Sequence, residues 1–200
     1  MSTLVIYHKD CSDRFAAAVV YNMSLIEEDI KNTEYKPMHN DEDLPDLKGL
    51  DVIVLDMYFS LDKVMQAIKD SNSFMLLDHH KSALHLSPLK QRTIDLTKSA
   101  CVMAWEKFHK GKQVPSLLEK IQEVDLKGPL DRGSDARAVH LALKETPHYF
   151  SGWESLIRSE THYDLVTIGC ELHGVRHKKV MPILCEAEHV SIAGHRVLET

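Results

Sequence analysis

Three short apolar runs, each ending on an acidic or histidine-bearing cluster, constrain this chain more than any other feature. Residues 3–7 read TLVIY and lead into His8-Lys9-Asp10-Cys11-Ser12-Asp13. Residues 51–55 read DVIVL and are followed by Asp56. Residues 74–77 read FMLL and lead into Asp78-His79-His80. Continuous apolar runs rich in branched side chains read as buried strands. Helix-like sequence lies between them. RFAAAVVYNMSLI, from Arg14 to Ile26, is Ala-rich, and Ser60 is placed to cap a helix over 61–69. Residues 33–38 and 92–96 supply two further candidate strands.

Strands alternating with helices predict an α/β fold: a parallel β-sheet of about five strands with helices on both faces. In such a sheet the carboxyl ends of the strands share one edge, and ligands bind in the crevice there. All three polar clusters would therefore meet at one place. After about Lys98 the texture becomes helical, with helices expected over 99–110, 116–124, 135–144 and about 161–188, and a short strand near Gly194. This divides the chain into a catalytic domain over 1–145 and a helical C-terminal extension over 146–200.

Carboxylates mixed with imidazoles are ligands for Mn²⁺, with Mg²⁺, Fe²⁺ or Co²⁺ as alternatives. Carboxylates crowded without a cation would repel one another, whereas two metal ions could activate a water and stabilise charge on a phosphoryl group. Asp56, alone at its strand end, is the candidate bridge between the ions. Each cluster also has a plainer reading. A single Asp after a strand is commonly a turn residue, any of Asp10, Ser12 and Asp13 could cap the following helix, and the histidines could be loop residues. The coincidence of all three in one α/β frame favours a site.

Other features narrow the function. Neither glycine-rich phosphate-binding pattern occurs. The net charge of −6 argues against binding long duplex nucleic acid. Cys11, Cys101, Cys170 and Cys185 show no zinc-like spacing and read as reduced cytoplasmic thiols, and no apolar run is long enough for a membrane span.

Leu76-Leu77-Asp78-His79-His80-Lys81-Ser82-Ala83 resembles the signature motif of DHH phosphoesterases. His8-Lys9-Asp10-Cys11-Ser12-Asp13 resembles that family's first motif, Asp56 its second, and Glu123-Val124-Asp125-Leu126 its fourth. Ser99-Ala100 leading to Trp105-Glu106 is similar to the helix that follows the sheet in one branch. The resemblance covers roughly residues 3–145. It implies that His8, Asp10 and Asp56 hold one metal ion, and that Asp13, Asp56, His79 and Asp125 hold the other. Asp78 would orient a histidine. His80 would face the substrate phosphate, helped by Lys81, and the nucleophile would be a metal-held hydroxide.

The pattern departs from the family at Arg14, where relatives carry glycine. Its guanidinium would alter the site or contact phosphate. Cys11 competes with Asp10 and Asp13 for two ligand roles, as ligand or as packed thiol. Many relatives continue into a C-terminal substrate-binding domain. Here the helical extension is expected instead, capping the site or forming a homodimer interface. The activity implied is hydrolysis of a small phosphodiester, such as a short oligonucleotide, a cyclic dinucleotide or a nucleotide bisphosphate. The alternatives are a polyphosphatase or pyrophosphatase, or a catalytically weak nucleotide-binding protein on the same fold.

Overall fold

The computed structural model of the chain describes residues 2–128, 134–159 and 162–172. Five strands, β1 (Thr3–His8), β2 (Thr33–Met38), β3 (Asp51–Leu55), β4 (Ser73–Asp78) and β5 (Arg92–Ile94), form one sheet in the order β2-β1-β3-β4-β5. Every pairing is parallel. The α/β sheet expected from the sequence is therefore the one observed.

The three central strands, β1, β3 and β4, bury both faces, which is why their runs are continuously apolar rather than alternating. Val5, Tyr7, Ile53, Leu55 and Leu77 enter one core cluster. Leu4, Ile6, Val52, Val54, Phe74 and Leu76 enter the other. On the first face pack α1 (Ser12–Asn22), α4 (Ala100–Phe108), α5 (Ser116–Lys127), α6 (Asp135–Lys144), α7 (Phe150–Arg158) and α8 (Tyr163–Leu172). On the second lie α3 (Leu61–Asp70), which contributes Val64 and Ala67, and a 3-10 helix over Lys81–Leu86, which contributes Leu86. Ser60 caps α3 as expected, its Oγ accepting from the Lys63 amide at 3.3 Å. A short, exposed α2 (Glu27–Lys31) precedes β2.

Some boundaries differ from the sequence reading. Helix α1 begins at Ser12, not Arg14, so Ser12 and Asp13 belong to its first turn, and it ends at Asn22. Helix α7 was not expected. It forms because Trp153 and Ile157, four residues apart on one face, are buried, and Trp153 meets the Phe15 ring edge-on at 5.1 Å. Helix α8 packs on α6 so closely that a Cβ on Gly169 would fall 1.9 Å from the Ala138 carbonyl oxygen. Through Trp153, Ile157, Leu165 and Val166, the chain beyond residue 146 joins the same hydrophobic cluster as β1 and α1. The rest of the helix expected to residue 188 and the strand near Gly194 lie outside the described residues. Among the described residues, no helix is long and apolar enough to cross a membrane.

Candidate metal centre

Register explains why the clusters converge. Tyr7 pairs with Leu55 and Leu55 with Leu77, so these three form one row across the sheet. The next residues, His8, Asp56 and Asp78, stand together at its carboxyl edge. The chain runs from β1 to β2 on one side and returns to β3 on the other, so the strand order reverses between β1 and β3. Crevices open at such reversals. Asp10 and Asp56, which follow these two strands, both adopt left-handed backbone, with φ of 59° and 55°. They are the non-glycine residues with positive φ among the described residues. Aspartate tolerates this conformation better than most residues, but it still carries strain.

Asp13 is delivered by the first turn of α1 and is buried. Its carboxylate accepts the Ala100 amide at 2.9 Å and the Cys101 amide at 3.0 Å, both at the start of α4. It thus occupies the positive end of that helix and ties α1 to α4. Burial, reinforced by the Asp56 charge, pushes its pKa above the ordinary carboxylate value.

His79 follows β4, and its Nε2 lies 3.2 Å from Asp56 Oδ1 and 3.2 Å from Asp125 Oδ2. Asp125, on the last turn of α5, is more exposed than Asp13 or His79. Burial, then the Asp13 charge, lift the Asp125 pKa to about 6. Burial acts to lower the His79 pKa, but Asp56, Asp125 and Asp13 outweigh it and the result is raised. At Asp56 burial works upward, yet His79, His80 and Arg14 together hold the pKa well below the usual range. Asp78 is fully buried and fixes His80: its Oδ1 accepts the His80 amide at 2.8 Å and faces Nδ1 at 2.9 Å. His80 Nδ1 also lies 3.0 Å from Asp56 Oδ1. The Asp56 and then the Asp78 carboxylate raise the His80 pKa to about 10.

Two ligand groups result: Asp13, His79 and Asp125, and Asp56, His79 and His80, with the donor atoms of each group within 4.8 Å of one another. Oxygens on opposite sides of an ion held at roughly 2.1 Å are about 4.2 Å apart, so the spacing within each group suits an ion. Asp56 Oδ1 and His79 Nε2 are buried and make no well-oriented hydrogen bond, although they face each other. Buried polar atoms are normally satisfied, and two orphans aimed into a nest of carboxylates fit a cation. The raised histidine pKa values carry the same message, because positive charge is favoured there and a metal ion competes for the place.

The structure therefore brings together Asp13, Asp56, His79, His80 and Asp125 of the expected residues, with Asp78 behind them. It places others differently. Arg14 donates from Nε to Asp56 Oδ2, and its Nη1 lies 3.2 Å from His8 Nδ1. His8 Nδ1 also faces the Lys9 carbonyl at 2.8 Å. Burial and the Arg14 charge hold the His8 pKa low. Asp10 is exposed and its charge acts on His148, and Lys81 is exposed at the start of the 3-10 helix. Cys11 stands at the N-terminal boundary of α1, and burial raises its thiol pKa, which disfavours the thiolate a ligand must supply. The α4 amides that receive Asp13 went unrecognised in the sequence, because they lie 87 and 88 residues along the chain.

No family model matches the chain. Over 142 residues it is 30% identical to an uncharacterized protein of Acanthamoeba polyphaga mimivirus, a match that takes in 62% of this chain and 33% of that protein. The chain thus spans about a third of the length of that relative. A crystal structure of an uncharacterized Helicobacter pylori protein aligns over 84% of this chain and 63% of its own, with a TM-score of 0.49 at 15% identity.

Proposed function

We propose that this chain is a divalent-metal-dependent phosphoesterase of the DHH type, cytoplasmic, acting on a small phosphodiester. One observation carries the reading. Asp13, Asp56, His79 and Asp125 come from four separate segments to one sheet edge, where buried carboxylate and imidazole atoms face each other without satisfying one another. A buried cluster of this kind is costly unless a cation completes it.

Asp13, Asp56, His79 and Asp125 would hold the metal, and a divalent ion bound there supplies a Lewis acid and a hydroxide source at neutral pH. Mn²⁺ suits the mixed oxygen and nitrogen donors, with Mg²⁺ or Co²⁺ as substitutes. The chain's own residues do the rest. Asp78 locks the half-exposed His80 ring through Nδ1, so Nε2 is the nitrogen left to meet a phosphate oxygen or to give a proton to the leaving oxygen. Lys81, exposed beside it, adds positive charge for an anionic substrate. A net charge of −6 supports a short substrate over a long polyanion. The free thiols of Cys11 and Cys101 suit a reducing compartment.

The test is hydrolysis of a dinucleotide, a cyclic dinucleotide, a nucleotide bisphosphate and a polyphosphate, with Mn²⁺ or with chelator, by wild type and Asp56→Asn. Turnover should require the metal and fall by orders of magnitude in the variant. Preference for the polyphosphate would move the reading to a polyphosphatase. Tight nucleotide binding without turnover would support a sequestering protein, a reading favoured by the hold of Arg14 on Asp56.

A further inference from the structure

The two oxygens of Asp56 go separate ways. Oδ1 turns toward His79 and His80, while Oδ2 accepts from the Arg14 guanidinium. The same guanidinium reaches to 3.2 Å from His8 Nδ1. It therefore spans the two side chains between which a second ion would have to bind. Asp10, the remaining ligand implied for that ion, is exposed and belongs to neither ligand group. The residues present thus fit an ion on the Oδ1 side of Asp56, around His79, and do not fit one between Asp56 and His8.

Arg14 is not a loose side chain that happens to point inward. It stands on the first turn of α1, directly after Asp13, which is bonded to α4, and directly before Phe15. Phe15 is stacked on His148 at 4.6 Å and meets Phe150 and Trp153 edge-on at 5.2 and 5.1 Å. The helix turn that presents the guanidinium is anchored on both sides. Charge reaches the same conclusion independently. Of the four buried or half-buried carboxylates, Asp78 is paired with His80, and one divalent ion together with one guanidinium balances the other three, Asp13, Asp56 and Asp125. A second divalent ion beside Arg14 would leave an excess of positive charge in a largely buried space.

We propose that Arg14 takes the place of one metal ion, so that this centre holds a single divalent cation among Asp13, Asp56, His79 and Asp125. Arg14 is then the permanent cation on the far side of Asp56. This rests on the metal-centre reading above and departs from the two-ion arrangement that the resemblance implies. Because arginine keeps its charge at all working pH values, its half of the site cannot be removed by chelator or by acid.

The experiment counts metal. Chelator-stripped protein is loaded with Mn²⁺, desalted and analysed for manganese per chain, with electron paramagnetic resonance to distinguish isolated from exchange-coupled ions. Wild type should hold one ion, with the spectrum of an isolated centre. Arg14→Gln and Arg14→Ala should each hold two, with a coupled spectrum, whereas Arg14→Lys should stay at one. Melting of each chelated variant establishes that it is folded. Two ions in wild type would overturn the role of Arg14 and leave the metal centre standing. So would a folded Arg14→Gln that still binds one. No ion in wild type would overturn the metal-centre reading itself.

Discussion

Asp13 has two tasks that can be separated, because one of them needs no metal. Its carboxylate bridges α1 to α4 through the amides of Ala100 and Cys101, at 2.9 and 3.0 Å. Asp13→Asn keeps the shape and removes the charge. One amide can still donate to the asparagine oxygen, but the other then meets an NH₂ group and is left buried without an acceptor. A charge-assisted bond contributes about 1.5–3 kcal/mol, and an orphaned buried amide costs about 1–3 kcal/mol. Removing the buried charge works the other way and offsets much of this, since burial, and then the Asp56 charge, raise the Asp13 pKa in spite of the two hydrogen bonds. The net expectation is a loss of about 1 kcal/mol, roughly 2–4 °C in Tm for a chain of this size. The assay is thermal and urea unfolding of wild type and variant, both in excess chelator. A variant that melts with wild type would refute the tie between the helices. A variant that melts higher would show that repulsion within the cluster outweighs the two hydrogen bonds.

Three further outcomes are expected. His80→Ala should lower turnover by about 10²–10⁴-fold while leaving bound manganese unchanged, the range usual for loss of a proton donor; loss of the metal instead would make His80 a ligand. The metal-free and metal-bound proteins should respond to pH with opposite signs. Asp125, lifted to about 6 by burial and then Asp13, and His80, lifted to about 10 by Asp56 and then Asp78, both bind protons more tightly in the folded state. Chelated protein should therefore lose stability as pH rises, through about 4 to 6 for Asp125 and through about 6.5 to 10 for His80, while Mn²⁺ affinity, which requires the protons of the ligands Asp125 and His79 to leave, should weaken as pH falls through about 6; melting curves with parallel pH slopes in chelator and in Mn²⁺ would contradict this. Gly169→Ala should destabilise by about 2 kcal/mol, the scale of overpacking, because its Cβ would fall 1.9 Å from the Ala138 carbonyl oxygen; unchanged melting would mean that α8 does not sit against α6.

The central strands were legible because their burial is two-sided. Leu4 and Ile6 face one core and Val5 and Tyr7 the other, which leaves a continuous apolar run in the sequence. Their polar terminations were legible for the same reason, since register alone carries His8, Asp56 and Asp78 to one edge. What was hidden depends on partners distant in sequence. Asp13 looks like a local helix cap, yet its acceptor oxygens serve a helix 87 residues on. Helix α7 carries Gly152 and follows Pro147, both signals for a loop, and it holds only because Trp153 and Ile157 find the Phe15 side of the core. Arg14 marked an unusual position, but sequence could not say whether its guanidinium would face a substrate or a carboxylate.

The left-handed backbone at Asp56 connects these points. A non-glycine residue in that region costs about 1–2 kcal/mol, so something around it must hold the conformation. Its amide is bound to the Leu77 carbonyl at 2.8 Å, continuing the β3–β4 ladder one step beyond the strand, while the side chain is gripped by Arg14 on Oδ2. The backbone thus turns away from strand geometry while staying tied to the sheet, and this sends the two carboxylate oxygens to opposite partners. An aspartate that merely opened a turn would relax toward water. Asp56 is instead almost wholly buried, with one oxygen neutralised by an arginine and the other aimed at two histidines. Strain, burial and an unsatisfied oxygen coincide on one residue at the point where the strand order reverses. Packing requires none of these together, whereas the proposed role of a carboxylate that presents one oxygen to a cation accounts for their coincidence.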